Sequence, residues 1–162
     1  MLQLIPAPLH RQLYRIADRL RRIWWRLRKP RRRSVLVIAF DDHGRVLLVR
    51  HSYGPPVWAL PGGGLGRNED PGVAAAREFR EELGCGLADV LALKARVQVI
   101  SGARDLQHRF AARLAGEPVA DQREIVAAEL FDPAALPPDR AGYVARLVEQ
   151  AIEARRFWSE KR

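Results

Sequence analysis

Glu78, Glu81 and Glu82 stand within five consecutive positions of the chain. On a helix turning about 100° per residue they span only about 100° of arc and share one face. Ala76, Phe79 and Leu83 fall on a separate apolar face. One face can therefore pack while the other presents three carboxylates. Like charges that close repel, raise one another's pKa and weaken the helix. The segment 71–83 contains no lysine, and Arg77, four residues before Glu81, offsets one charge and not three. A divalent cation removes the conflict, and an all-oxygen donor set suits Mg²⁺ or Mn²⁺. Upstream, Gly62-Gly63-Gly64 lets backbone carbonyls and amides approach a metal or a phosphate closely. A glycine loop, a carboxylate-bearing helix and a spare carboxylate to act as base together suggest phosphoryl-group chemistry.

The elements that must hold these residues are legible on both sides. Asp70 before Pro71 reads as an N-cap followed by proline in the first helical position, and Gly84 and Gly86 stop the helix, which predicts 71–83. The apolar run 35–40 reads as a buried strand, 41–44 as a turn and 46–49 as the returning strand of a hairpin. A short strand is expected at 58–60. Downstream, 93–100 and 106–114 are strand-like around a turn at 102–105, and 125–131 reads as another strand. Pro133, Pro137 and Pro138 break the chain before a closing helix marked by Val144, Leu147, Val148, Ala151 and Ile152. Strands and helices mix without strict alternation, which predicts an α/β or α+β fold with a mixed sheet.

The 162 residues suffice for one domain and an appendage. A composition of 48% apolar and 29% charged residues is ordinary for a globular protein. A single cysteine, Cys85, excludes a disulfide framework and reads as a small packing residue. The four histidines have no metal-ligand spacing. With no apolar run of spanning length and no secretory leader, the expected location is the cytoplasm.

The net charge of +9 is unevenly placed: residues 1–33 hold eleven Arg/Lys and one acid, while 34–162 hold 17 bases and 18 acids. The basicity belongs to an arm, 1–33, and not to the domain expected over 34–158, with a tail at 159–162. Within the arm, Leu9, Leu13, Ile16, Leu20, Ile23, Trp24 and Leu27 recur at helical spacing, which predicts a basic amphipathic helix over 9–28 that ends near Pro30. Three uses follow. The stripe can pack on the domain or on a second copy; it can seat peripherally at a membrane surface, since Trp24 and Trp25 flank it; or the arginines can tether RNA.

The central segment resembles the Nudix box. Gly63, Glu69, Arg77, Glu78, Glu81, Glu82 and Gly84 match at its spacing, with Phe79 and Cys85 in slots usually aliphatic. The resemblance implies a Nudix-like α/β/α sandwich and a Mg²⁺-dependent hydrolase that cleaves the pyrophosphate bond of a nucleoside diphosphate linked to another moiety. By position it implies Glu81 and Glu82 as metal ligands with the carbonyl of Gly62, Glu78 as base or extra ligand, Arg77 as its orienting partner and Glu69 as support behind them. Many members add an acid from a later loop; Glu124 is the best-placed match and Glu129 the second. Arg50, His51, Tyr53 and Trp58 sit where a substrate loop would lie, although a Trp in an apolar strand is more often core. The alternatives are an RNA 5′-end pyrophosphohydrolase tethered by the basic arm, and a nucleotide-sensing module that does not turn its ligand over. Homodimers are common in the family. The stretch 86–117 contains neither Pro nor Tyr, which by the same resemblance argues against an ADP-ribose or a dinucleoside polyphosphate hydrolase.

Overall fold

The computed structural model describes residues 7–159. Helix α1 (Ala7–Arg28) leads into strand β1 (Arg31–Phe40), which turns back as β2 (Val46–His51). Helix α2 (Pro71–Leu83) follows, then the long strands β3 (Gly86–Ile100) and β4 (Ala103–Ala115), strand β5 (Ile125–Phe131), a single 3-10 turn at Pro133–Ala135 and helix α3 (Val144–Ser159). The strands form one mixed sheet in the order β3-β4-β1-β2-β5. β1 runs parallel to β4 from Arg31↔Arg104 to Phe40↔Arg113, and the other pairings are antiparallel.

The run Val35 to Phe40 is buried at every position because the sheet is covered on both faces. Val35, Val37 and Ala39 pack with Ala74, Ala75, Phe79 and Leu83 of α2. Leu36, Ile38 and Phe40 pack with Val144, Leu147, Val148 and Ala151 of α3. Period-two alternation along one strand thus feeds two cores, and the result is the expected α/β/α sandwich.

Helix α2 has the expected bounds. Asp70 caps it, accepting from the amides of Gly72 and Val73 at 2.8 and 3.1 Å. Gly84, at φ 66°, closes it in the left-handed conformation, its N–H donating to the Arg80 carbonyl at 3.0 Å.

Elsewhere the elements differ from expectation in ways that tertiary pairing explains. β1 begins at Arg31, four residues early, because Arg31 to Ser34 pair with β4. β3 begins at Gly86 instead of 93 and carries two register irregularities, with Asp89 at φ 48°. β4 begins at Ala103, so Asp105 lies within a strand and not in a turn. The segment 58–60 forms no strand; Trp58 and Ala59 make isolated bridges to Arg140 and Val49. Of the expected tail, 160–162 lie outside the described residues.

Helix α1 forms, but its apolar stripe does not pack on the domain. Its opposite face does. The Arg15 side chain donates to the Ser52 carbonyl at 2.9 Å, Tyr14 stacks on Tyr53 at 6.1 Å, and Trp25 is buried under the Arg32 guanidinium at 3.8 Å. At the β3–β4 turn, a Cβ on Gly102 would come within 3.3 Å of Arg26 Cα. Glycine suits the turn chiefly by its φ of 82°, and it leaves this close approach unhindered.

Asp70→Ala removes both capping hydrogen bonds, which share Oδ1, and is expected to lower stability by about 1 kcal/mol, read as a lower urea midpoint at unchanged m-value.

Candidate active site

Arg77 organises the acidic face. Its Nε and Nη2 form a fork on Glu69, at 2.9 and 3.0 Å. Its Nη1 donates to Glu78 at 3.0 Å and reaches Glu81 at 3.4 Å, and Nη2 also donates to the Gly64 carbonyl at 3.2 Å. One planar guanidinium therefore ties the glycine loop to two glutamates of α2 and to Glu69. Glu69 accepts in addition from the Gly66 N–H at 2.7 Å. The Arg77 hydrogen bonds hold the Glu69 carboxyl down at about 2, so it stays ionised at any working pH.

The three glutamates of the helix are graded in depth. The Glu81 side chain is 62% exposed, that of Glu78 is 18% exposed, and Glu82 as a residue is only 5% exposed. Glu82 Oε2 is buried and has no hydrogen-bond partner among the described residues. Burial first, then the neighbouring charges of Glu124, Glu78, Asp121 and Glu81, push its carboxyl up to about 9. Burial also raises Glu78, against the opposing pull of Arg77.

The glycine loop is shaped around these groups. The carbonyls of Pro61 and Gly63 accept from Val37 and Val35 of β1, both at 2.9 Å. A Cβ on Gly62 would stand 2.2 Å from the Val35 carbonyl, and one on Gly63 would stand 2.3 Å from the Glu78 carboxyl carbon. Gly63 thus vacates the space that the Glu78 carboxylate fills.

Glu124 arrives from the far end of the chain. Val119 and Asp121 donate backbone N–H bonds to the carbonyls of Leu83 and Glu82, at 2.8 and 3.1 Å, clamping the loop after β4 onto the end of α2. The Asp121 carboxylate then accepts from the amides of Arg123, Glu124 and Ile125, which fixes the turn into β5. The Tyr53 hydroxyl donates to Glu124 Oε1. Burial, followed by the adjacent Glu124 charge, raises the Tyr53 pKa and keeps it a donor.

Gly62, Gly63, Glu78, Glu82, Glu124 and Tyr53 line one cavity of about 390 Å³. Glu129 does not join them; it lies exposed on β5 opposite Leu48. Nor do Arg50 and Trp58. Trp58 is buried in the α3-side core, edge-on to Phe131 at 5.0 Å, and Arg50 lies over its ring at 4.7 Å while pairing with Asp139.

The cavity also holds residues that sequence reasoning passed over. Asp105 is fully buried, accepts from Ser34 Oγ at 2.6 Å and from Gln98 Nε2 at 3.3 Å, and among the described residues its Oδ1 has no partner. Asp18, Arg21 and Arg32 form another part of the wall. Asp105 reads as a turn residue in sequence; only the parallel β1–β4 register, which sets Arg32 opposite it, brings it inside.

Among the described residues no acid, His and Cys side chains form a ready-made metal cage of three or more. The donors nonetheless fit a hard divalent ion. They are carboxylate oxygens beside a glycine loop, and one, Glu82 Oε2, is buried without a partner, a state that a bound cation would relieve.

Comparison with known proteins agrees with this geometry. The family model described as NUDIX domain matches residues 30–150. A Mycobacterium tuberculosis protein whose name proposes an 8-oxo-dGTP diphosphatase is 39% identical over 125 residues, covering 70% of this chain and 87% of that one. An RNA pyrophosphohydrolase from Halorhodospira halophila is 47% identical over 64 residues, covering 40% of this chain and only 35% of the relative. The crystal structure of a MutT NUDIX hydrolase from Burkholderia pseudomallei superposes with a TM-score of 0.66 at 25% identity, covering 75% of this chain and 98% of the other.

The raised Glu82 pKa fixes the sign of a pH effect. The folded state holds a proton there that the unfolded state releases near its ordinary value, so the metal-free protein loses stability as pH rises toward the folded value. Its melting temperature is expected to fall between about pH 7 and about pH 9, a window above the histidine range, and millimolar Mg²⁺ should abolish that fall. Differential scanning calorimetry with and without Mg²⁺ reads both; an unchanged melting temperature across the window without metal contradicts the assignment.

Proposed function

The chain belongs to the NUDIX family, and on that premise we propose that it is a hydrolase, dependent on Mg²⁺ or Mn²⁺, that cleaves the pyrophosphate bond of a nucleoside diphosphate linked to another moiety. The observation that carries this reading is the buried, unpartnered Glu82 oxygen in a cavity shared with Glu78, Glu124 and the glycine loop. The names of the two relatives, a diphosphatase and a pyrophosphohydrolase, point the same way.

Glu81, Glu82, Glu78 and the Gly62 carbonyl would hold the ions. When bound, these neutralise the diphosphate and lower the pKa of water. The rest falls to the chain's own residues. Arg77 keeps Glu78 aimed at the glycine loop, and Glu69 holds Arg77 in that pose. Glu124 is the better base, because Tyr53 occupies one of its oxygens and leaves the other for the water proton, whereas Glu78 is engaged by Arg77. The hydroxide attacks phosphorus, the bridging P–O bond breaks and the departing phosphate takes the electron pair. Asp105 stands fully buried in the cavity wall, its carboxylate held by Ser34 and Gln98. Arg21 and Arg32 offer positive charge to phosphate oxygens on the same wall.

Two other readings stand behind this one. RNA 5′-end pyrophosphohydrolysis draws on the relative's name and the arginine-rich arm. A sensing module is disfavoured by the complete carboxylate set, since binding alone needs no base. The inferred location is the cytoplasm; among the described residues no helix is long and apolar enough to cross a membrane.

Glu82→Gln keeps the shape and removes the charge, so hydrolysis should fall by about two orders of magnitude or more while the far-UV dichroism stays unchanged. A screen for nucleoside monophosphate, pyrophosphate and phosphate release over nucleotide sugars, nucleoside triphosphates and triphosphorylated RNA, with and without Mg²⁺, supplies the assay. Wild-type turnover by Glu82→Gln would sink the assignment.

A further inference from the structure

Helix α1 turns the wrong face outward for a globular protein. Leu9, Leu13, Ile16, Leu20, Ile23, Trp24 and Leu27 are 48–77% exposed. On a wheel of about 100° per residue they fill one arc of about 100° along the whole helix. The opposite face, with Tyr14, Asp18 and Trp25, is the one that meets the domain and the cavity. Arg19, Arg26 and Arg28 are exposed and flank the stripe on both sides. We propose that this face is a docking surface for an anionic lipid bilayer, on which α1 lies flat with its leucines and Trp24 in the interface and its arginines among the headgroups.

The charge pattern selects the bilayer. A second copy laid stripe to stripe would bring two arginine rims together, and residues 1–33 offer a single acid, Asp18, to offset eleven bases. Asp18 is itself buried and engaged by Arg21 at 2.7 Å, so it cannot neutralise the rim of a partner. An RNA would use the arginines but leave seven large apolar side chains in water. At about 1.5 Å of rise per residue the helix is about 33 Å long, ample for a flat seat. It is too charged to cross. Because the inner face of α1 forms part of the cavity wall, docking by the outer face leaves the carboxylates untouched and holds the cavity at the surface.

The test uses the full chain and vesicles of phosphatidylcholine with or without phosphatidylglycerol. The protein should sediment with the anionic vesicles, weakly with the neutral ones, and less as salt is raised. Leu13→Glu/Leu20→Glu should weaken partition about tenfold or more, with hydrolysis of a soluble substrate in vesicle-free buffer unchanged. Brominated lipid should quench the intrinsic fluorescence. In a Trp158→Phe background, Trp24→Phe should remove most of that quenching, since Trp25 and Trp58 are buried. No sedimentation with anionic vesicles overturns the proposal. So does equal binding by the leucine variant, or a stable dimer that the leucine variant splits and vesicles do not. RNA retention without vesicle binding would overturn it as well.

Discussion

A carboxylate without a partner, buried among other carboxylates, is the constraint around which the rest of this molecule is arranged. Glu82 sits on the packed side of α2, yet its neighbours in the cavity are Glu78 and Glu124. It is almost wholly buried, and among the described residues no side chain donates to its Oε2. Burial and the neighbouring carboxylates raise its pKa, which favours the protonated form there. Everything nearby either tolerates the charge or awaits its neutralisation. Gly63 carries no side chain, so the Glu78 carboxylate fits, and the loop after β4 is clamped to the helix end so that Glu124 faces inward.

Arg77 is the counterweight. It does not reach Glu82, but its donors engage Glu69, Glu78, Glu81 and the Gly64 carbonyl. Its role differs from that of a simple countercharge. The fork on Glu69 orients the guanidinium, and the remaining donors then fix the angle between the glycine loop and α2. Lysine in its place would supply the charge without the geometry. Arg77 thus engages Glu69, Glu78 and Glu81, while Glu82 and Glu124 face the cavity with Glu78.

Helix α1 adds a second pairing of opposite demands. Its inner face, polar and aromatic, forms part of the cavity wall through Asp18, Arg21 and Trp25; its outer face, apolar and arginine-rimmed, meets solvent. An amphipathic helix ordinarily buries its apolar side. Here the domain has already used its two apolar layers on α2 and α3, and the surface offered to α1 is the mouth of a polar cavity lined by His51, Tyr53 and Asp105. The polar face matches that surface and the leucine stripe does not.

Local rules were enough for the middle of the chain. The bounds of α2, its cap at Asp70, its stop at Gly84, the shared face of the three glutamates and the buried strand at 35–40 all follow from contacts within a few residues, and such contacts are written in order along the sequence. The family resemblance lives in this same stretch. What the sequence did not display are properties made by distant segments meeting. The parallel register of β1 with β4 carries Asp105 into the cavity, and the clamp from Asp121 to Glu82 brings Glu124 in while leaving Glu129 outside. Trp58 is committed to the core because Phe131 stands against it. The direction of α1 was the least legible, since periodicity reveals that a helix has an apolar side but not which side its neighbour will accept. That choice belongs to the surface it lands on, and a surface exists only once the chain has folded.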